Sequence, residues 1–388
     1  MFKKDIIKSA GLFINSEITA IILKLKHITT QNKETYSMGN SSDTAQSDWA
    51  AGRNPETDPI IRPLTEDDAE ALSRCVTSCY GDSYPGREFY DPEKIRSFLS
   101  QGLMHSQIAV TREGEVVGHL GIMLEHIGDI TADAIAGFVA PDYRGSNTMF
   151  RLGLNLNIVN QELHLIGLQM YALMLHTITQ KKALAVGGVE TGLLTAYFPA
   201  STKPKGFERS DDKSRIPAML MYVPLRPAPE RTVFIPERYA DIISRLYKQL
   251  KYIRLMKEAE NSRSTKPASV TIVKKPGLGI AQVKVHQPGY DLPDITMRLQ
   301  QQFRLEDVGA MYVDLPLWDP ASATLVEDLR SLGLFYGGVV IERGGGDLLR
   351  LQGLLNAHIA PDADIIVSQS GRELLDFVMG DARDVGAV

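Results

Sequence analysis

A chain of 388 residues is longer than one domain usually is, and a hydrophobic share of 44% supplies enough material for a sizeable core. The net charge of −5, without a dense block of lysine and arginine, excludes a typical nucleic-acid-binding protein, which carries a basic face. No run of residues is long and apolar enough to cross a bilayer, so we expect a cytoplasmic protein without a membrane span.

Residues 1–58 are predicted to form an N-terminal extension that is largely disordered. From residue 29 to residue 59 the chain is rich in Ser, Thr, Asn, Gln and Asp and has few apolar residues to pack. The lysine-bearing segment before it lacks a cleavage pattern, so we do not interpret it as a signal peptide. An amphipathic surface helix and an upstream extension both stay open for that segment.

Residues 59–232 are predicted to form an α+β (mixed α/β) domain with a central sheet. Its first elements are a short strand at "IIRPL", a helix capped by Thr65, a second helix after a loop rich in Gly and Pro, and a β-hairpin that turns at "REGE". A strand at "TADAIAGFVAP" and a helix that ends at Gly167 follow. A strand that ends near His176, a short helix and two further strands complete the domain.

The two cysteines, Cys75 and Cys79, are separated by one turn of the first predicted helix. Zinc requires four ligands, and no further cluster of His or Cys lies nearby in the sequence, so we expect no metal site. Two small apolar residues on one buried helix face fit the pattern better, and this cysteine usage is typical of a reducing cytoplasm.

A long helix from Pro236 to Glu260 and a linker are predicted at residues 233–268, followed by a smaller α/β domain at residues 269–388. That domain begins with a hairpin and continues as helix, strand, helix and strand. The stretches beginning at Met170 and at Met311 share strand, turn, helix, glycine and strand, which suggests a weak internal repeat. A chance likeness between two strand–helix–strand units is an equally open interpretation.

The turn "YRGSNTM", residues 143–149, lies between a predicted strand and a predicted helix. Unpaired N–H groups at a helix N-terminus attract anions, and small residues let phosphate oxygens approach the backbone. Arg144 adds a cation, and Ser146 and Thr148 add hydroxyl groups. Many such turns bind nothing, so the turn alone does not decide between a phosphate site and an ordinary connection.

The pattern Val-x-Pro-x-Tyr-Arg-Gly that begins at Val139 resembles the acetyl-CoA signature of the GNAT superfamily of acyl-CoA-dependent N-acyltransferases. The order of elements from Ile60 to Leu225 is similar to that fold. "CYGDSYP", "GEVVGHLG" and "LHTITQKKALAVGGVETGLL" resemble a bacterial subgroup with a smaller GNAT-like C-terminal domain. The resemblance implies a twisted central sheet flanked by helices, and acetyl-CoA or another acyl-CoA as co-substrate.

The resemblance also implies a set of cofactor-binding residues on the strand, the turn and the next helix. They are Phe138, Val139, Arg144, Gly145, Ser146, Asn147, Thr148, Met149 and Gln180. The family motif has small residues where Asn147 and Met149 stand, and Asn tolerates the left-handed conformation better than most residues. Gln180 stands where relatives contact the pantetheine arm, and a role beside the helix cap is the open alternative.

Direct acyl transfer needs a neutral amine, a stabilised oxyanion and an exit for the thiolate. The resemblance implies a backbone N–H donor on a bulged strand, here residues 133–139, and a base at Asp133, where relatives place a glutamate. His119 and His176 are the other candidate bases, and structural roles stay open for all three. The tyrosine that usually serves as the acid has no counterpart in "TQKKALAVGG".

Two functions follow from the resemblance. The first is an N-acyltransferase that moves an acetyl or acyl group from CoA to an amine of a small molecule or a protein. The second is a degenerate GNAT-fold protein that binds acyl-CoA, or the phosphopantetheine arm of an acyl carrier protein, without transfer. A third possibility is a structural scaffold that binds no CoA. The C-terminal domain is interpreted as a lid, an acceptor-recognition module or the dimerisation surface of a homodimer.

Overall fold

The computed structural model describes residues 58–207, 209, 211–259, 263–357 and 365–388. The predicted disordered extension lies outside the described residues up to residue 57. The described chain is an α+β protein whose helices flank a large mixed sheet, as predicted.

In the described residues, seven strands and four α-helices make up the first half of the fold. The strands are β1 (Ile60–Pro63), β2 (Met104–Val110), β3 (Val116–Met123), β4 (Thr131–Val139), β5 (Gly167–Leu173), β6 (Val189–Phe198) and β7 (Ile216–Pro224). The helices are α1 (Ala69–Tyr80), α2 (Pro92–Ser100), α3 (Thr148–Glu162) and α4 (Ile178–Ala185). Thr65 and Asp68 form a capping box just before α1, and the Asp91 carboxylate caps α2, so these starts follow from local sequence.

The second half begins with a small two-stranded parallel sheet and its helix. These elements are β8 (Arg231–Phe234), α5 (Ala240–Leu250) and β9 (Arg254–Lys257). The remaining strands are β10 (Ser269–Lys275), β11 (Ile280–Gln287), β12 (Ala310–Pro316), β13 (Phe335–Arg343) and β14 (Gly346–Leu354). The remaining helices are α6 (Leu292–Leu305), α7 (Pro320–Arg330) and α8 (Gln369–Asp384).

Three predicted element boundaries are wrong. The helix expected to reach Gly167 ends at Glu162, because His164 has a φ of 56°, in the left-handed region, and Gly167 starts β5. The long helix expected from Pro236 ends at Leu250, since Lys251 has a φ of 57°, and the chain then forms β9.

The third misplaced boundary is the end of β5. The strand ends at Leu173, so His176 lies in the loop between β5 and α4 rather than at a strand end.

One pattern of strand pairing occurs twice in the twelve-stranded sheet. Its order is β1-β2-β3-β4-β5-β7-β6-β13-β14-β12-β11-β10. In the run β3-β4-β5-β7-β6, only the pair β4-β5 is parallel and the other three pairs are antiparallel. In the run β10-β11-β12-β14-β13, the second pair, β11-β12, is likewise the parallel one and the other three are antiparallel. The internal repeat predicted from Met170 and Met311 is therefore present in the topology.

The two halves of the sheet meet at a single pair of glycines. β6 and β13 pair only at Gly192 and Gly338, each the fourth residue of its strand. A Cβ atom at Gly192 would lie 2.2 Å from the carbonyl oxygen of Gly337, and Gly338 has a φ of 141°. Only glycine fits such a backbone crossing, so these residues fix how the halves join.

One hydrophobic cluster runs through both halves, from Ile122 in β3 to Ala382 in α8. The hydrophobic core and the twelve-stranded sheet both continue across residues 232 and 268. The domain boundaries predicted at these residues stay predictions.

Candidate active site

The parallel strands β4 and β5 separate soon after they begin. They pair over three residues, 131–133 with 167–169, although β4 continues to Val139 and β5 to Leu173. Inner strands of a sheet covered by helices are normally buried on both faces. Here Ala134, Ile135 and Tyr171 are partly exposed and Gly137 is exposed. Residues 134–139 of β4 and 170–173 of β5 thus face each other without pairing, and solvent reaches part of them; we call this unpaired stretch the slot.

The corresponding strands of the second half stay closed. β11 and β12 pair over five residues, 280–284 with 310–314. The turn before α6 is filled by the linker, because the N–H of Ala268 donates to Asp291 Oδ1 at 2.6 Å and the N–H of Tyr290 donates to the carbonyl of Lys266 at 3.1 Å. A Cβ atom at Gly289 would lie 1.9 Å from the Ala268 nitrogen. Of the two parallel pairs in the described sheet, β4 and β5 therefore stop pairing earlier.

The expected bulge of β4 lies beside the slot. The register between β3 and β4 shifts between His119 and Gly121, so Ala136 and Gly137 together oppose one residue of β3. Ala136 has a φ of 49°, which is unusual for a residue with a Cβ atom. Its carbonyl accepts a hydrogen bond from His119 Nδ1 at 2.7 Å, which holds the bulge in place.

The Arg144 turn connects β4 to α3 as predicted. Arg144 Nε donates to the carbonyl of Val139 at 3.0 Å and Arg144 Nη1 donates to that of Lys205 at 2.5 Å, while the guanidinium lies 5.7 Å from the Phe207 ring. Gly145 has a φ of 78°, which favours glycine there. The turn is thus tied to the β6–β7 loop.

The hydroxyl groups of the turn are used within the turn. Ser146 Oγ lies 2.7 Å from the carbonyl oxygen of Tyr143 and 2.8 Å from Thr148 Oγ1. Arg144, Gly145 and Ser146 are exposed, whereas Thr148 is buried. An anion would therefore meet the first three residues of the motif.

The other predicted cofactor residues differ in what they can offer. Phe138 and Val139 are buried, at 5% and 8% exposed, so their backbone groups are what a ligand in the slot would meet. Asn147 and Met149 are partly exposed, and Met149 packs against the buried Leu152 cluster.

Gln180 is held by the segment before α8. It is fully buried, its Nε2 donates to the carbonyl of Ile365 at 3.0 Å, and its Oε1 accepts from the N–H of Val367 at 3.4 Å. The structure gives this amide a structural partner that sequence reasoning missed, and its contact with the cofactor stays a prediction.

Asp133 stands in the last residue pair before β4 and β5 separate. Arg343 Nη2 donates to its Oδ1 at 2.5 Å, and the side chains of Arg343 and Asp133 are 12% and 27% exposed respectively. Arg343 is 210 residues away at the end of β13, and the sequence offered only the glycine-rich turn "ERGGGD" as a signal. The candidate base is therefore held by the C-terminal half.

His119 is a second group beside the bulge. It is fully buried, and this burial lowers its pKa to about 4, so the ring is neutral near pH 7. A neutral ring that donates from Nδ1 to the Ala136 carbonyl keeps a lone pair on Nε2, for which the described residues provide no hydrogen-bond partner. Phe138 stacks on the ring at 5.5 Å.

His176 lies near the turn rather than at the bulge. Its ring is 4.6 Å from that of Phe207, which also contacts Arg144, and burial lowers its pKa. The three candidate bases are therefore not brought together at one point, and their catalytic roles stay predictions.

Two cavities of about 330 and 340 Å³ lie elsewhere, one beside Cys75 and the β2–β3 turn and the other beside β1 and Val159. Cys75 and Cys79 are both buried in α1, as predicted. In the part of the chain that the structure describes, no cluster of His, Cys, Asp and Glu is arranged to hold a metal, and no helix is long and apolar enough to span a membrane.

No protein-family model and no curated protein matches the sequence. Among solved structures, the chain is similar to a ribosomal-protein-S18-alanine N-acetyltransferase from Escherichia coli, at 16% identity and a TM-score of 0.34, over 44% of this chain and 96% of that one. The chain is also similar to a ribosomal-protein-alanine N-acetyltransferase from Brucella melitensis, at 20% identity and a TM-score of 0.34, over 43% of this chain and 99% of that one.

A PaiA N-acetyltransferase from Thermoplasma acidophilum, solved with coenzyme A, gives 13% identity and a TM-score of 0.31, over 42% of this chain and 98% of that one. Because these likenesses are distant, the functional argument below rests on the geometry of this chain.

Proposed function

We propose that the protein is a GNAT-type, acyl-CoA-dependent N-acyltransferase whose co-substrate, acetyl-CoA or another acyl-CoA, lies between β4 and β5. The observation that carries this proposal is the early separation of these two parallel strands. Backbone N–H and C=O groups on the free edge of a strand bind amide groups of an extended ligand as a further strand would. The pantetheine arm carries two such amides, so a slot beside β4 suits it.

The Arg144 turn is proposed to bind the pyrophosphate, because it lies at the end of the slot where α3 begins. Arg144 offers an exposed cation, and Gly145 and Ser146 offer exposed backbone. Backbone groups of Phe138 and Val139 line the path between this turn and the bulge. Met149 would pack beside the phosphates where the family has a small residue.

The proposed reaction joins the acceptor nitrogen to the thioester carbon. The neutral amine attacks the carbonyl, the C–N bond forms, the C–S bond breaks, and the thiolate takes up a proton to leave as free CoA. A backbone N–H at the Ala136 bulge stabilises the oxygen of the transition state. Asp133 accepts the proton that the acceptor nitrogen loses.

Binding without transfer is the second candidate function. It is favoured by the engagement of Asp133 with Arg343 and by the lack of a tyrosine in α4. Incubation with acetyl-CoA and a panel of amines, followed by detection of free thiol, distinguishes the two functions. Thiol release that depends on an amine supports transfer. Saturable acetyl-CoA binding without thiol release across the panel supports the second candidate.

Arg144→Ala is expected to weaken CoA binding by about tenfold to a hundredfold, because a charge-assisted contact to phosphate is lost. The substitution also frees the turn from the carbonyls of Val139 and Lys205. Isothermal titration calorimetry with CoA measures the effect. Arg238→Ala is the matched control, since Arg238 pairs with Glu327 on the surface of the second half. An unchanged dissociation constant in Arg144→Ala would exclude the turn from the binding site.

A further inference from the structure

Four charged side chains of alternating sign form a chain at the entrance of the slot. Lys284 of β11 pairs with Glu125, and Arg343 Nη1 lies 3.8 Å from the other carboxylate oxygen of Glu125. Arg343 Nη2 donates to Asp133 Oδ1 at 2.5 Å. Two of these residues come from the first half of the fold and two from the second. We call these four residues the charge chain.

The β13–β14 hairpin brings Arg343 to this position. Thr131 Oγ1 donates to the carbonyl of Glu342 at 3.0 Å, which fastens the hairpin to the start of β4. Gly344 and Gly345 form the tip with φ values of 67° and 109°. The second half thus places a guanidinium group where β4 and β5 begin to separate, next to the proposed position of the thioester.

The charge chain is partly open to solvent. The exposed fractions are 22% for Lys284, 31% for Glu125, 12% for Arg343 and 27% for Asp133. Arg343 Nε is buried and has no hydrogen-bond partner among the described residues, so its guanidinium group keeps donor capacity. Arg350, in contrast, is committed to Asp314 through Nε and Nη2 and to Tyr171 through Nη1.

We infer that the charge chain is the acceptor site, and that the acceptor is a free amino acid. This inference rests on the proposed function. The ammonium group of the amino acid would replace Arg343 beside Asp133, and its carboxylate would pair with the released guanidinium group of Arg343. Asp133 then takes one proton from the ammonium group to give the neutral amine, and the second proton of that nitrogen passes to the departing thiolate. One internal ion pair is exchanged for two intermolecular pairs, so no half-buried charge loses its partner.

The same exchange predicts selectivity against acceptors that lack a carboxylate. An amine without a carboxylate that separated Asp133 from Arg343 would leave Arg343 with Glu125 alone, at 3.8 Å. Leaving a half-buried charge poorly paired is costly, whereas a planar guanidinium group suits a carboxylate through two parallel hydrogen bonds. Arg343 is therefore a specificity-determining residue contributed by the second half.

The test uses the full chain with acetyl-CoA, free L-amino acids, and the amines that correspond to their decarboxylation. Thiol release gives KM and kcat for each acceptor. We expect at least one amino acid to have a kcat/KM about a hundredfold above that of its decarboxylated amine. In Arg343→Gln, the KM for that amino acid should rise about tenfold or more, whereas the KM for the amine should fall, because no guanidinium group has to leave Asp133.

Arg238→Gln is the surface control and should change neither KM. Arg343→Lys keeps the charge but loses the two-point contact, so an intermediate KM is expected even if Arg343→Gln does not fold. Equal kcat/KM for the amino acids and their amines, equal effects of Arg343→Gln on both, or acetyl-CoA binding without transfer to any amino acid would overturn the inference. Thiol release with other amines of the panel, but with no amino acid, would overturn this inference alone, whereas thiol release with no acceptor at all would mean that the proposed function itself has failed.

Discussion

Asp133→Asn is expected to lower the turnover of acetyl-CoA with an amine acceptor by about a hundredfold while leaving CoA affinity unchanged. The amine attacks only when it is neutral, and an amide accepts its proton far less readily than a carboxylate does. The loss should be greatest at lower pH, where more of the free amine is protonated. Thiol release between pH 6 and pH 9, together with titration of CoA, measures both parts of this prediction.

The control for Asp133→Asn is Asp67→Asn, which removes an exposed carboxylate before α1. Because Asp133 also pairs with Arg343, the melting temperatures of both variants are compared. A variant that folds as the wild type and turns over at the same rate would remove Asp133 from the mechanism. His119, whose Nε2 lies beside the bulge without a hydrogen-bond partner, would then be the next base to test.

Arg254→Met is expected to lower the free energy of unfolding by about 3–5 kcal/mol, because it leaves buried carboxylates without their cation. The Arg254 side chain is 1% exposed. Its Nη2 lies 2.7 Å from Glu342 Oε1 and its Nε lies 2.6 Å from Asp347 Oδ2, and both carboxylate side chains are 0% exposed. Arg231 Nη2 lies 2.9 Å from Glu342 Oε2, so Glu342 keeps one cationic partner in the variant, whereas Asp347 loses Arg254. Urea denaturation followed by circular dichroism measures the change.

Arg238→Met is the matched control for this stability prediction. Arg238 is 42% exposed and pairs with Glu327 at 2.9 Å on the surface, where an ion pair contributes about 0–1 kcal/mol. Arg254→Met breaks buried ion pairs, whereas Arg238→Met breaks an exposed one. Equal losses of stability in both would contradict the role assigned to the buried pairs of Arg254.

The elements of the first half were predictable because their signals are local. The capping box at Thr65 and the alternation around "REGE" each lie within a few residues, and both elements are present. The end of α5 was not predictable in this way. Lys251 adopts a left-handed conformation that favours glycine, and β9 is stabilised by β8, about twenty residues earlier in the chain.

The candidate site was only partly predictable for the same reason. The Arg144 turn is a contiguous motif, and it lies between β4 and α3 as expected. The slot depends instead on where β4 and β5 stop pairing, which a sequence pattern does not specify. The pairing of Asp133 with Arg343 and the closure of the α6 turn by Ala268 join residues from distant segments, so only the fold reveals them.

The central claim is that the gap between β4 and β5 holds the pantetheine arm of CoA. A crystal structure of the full chain with acetyl-CoA tests it most directly. We expect one CoA per chain, with its pyrophosphate at the Arg144 turn, its arm along the free edge of β4, and its thioester beside the Ala136 bulge. Electron density for CoA at the α6 turn, or an empty gap at saturating acetyl-CoA, would contradict the account.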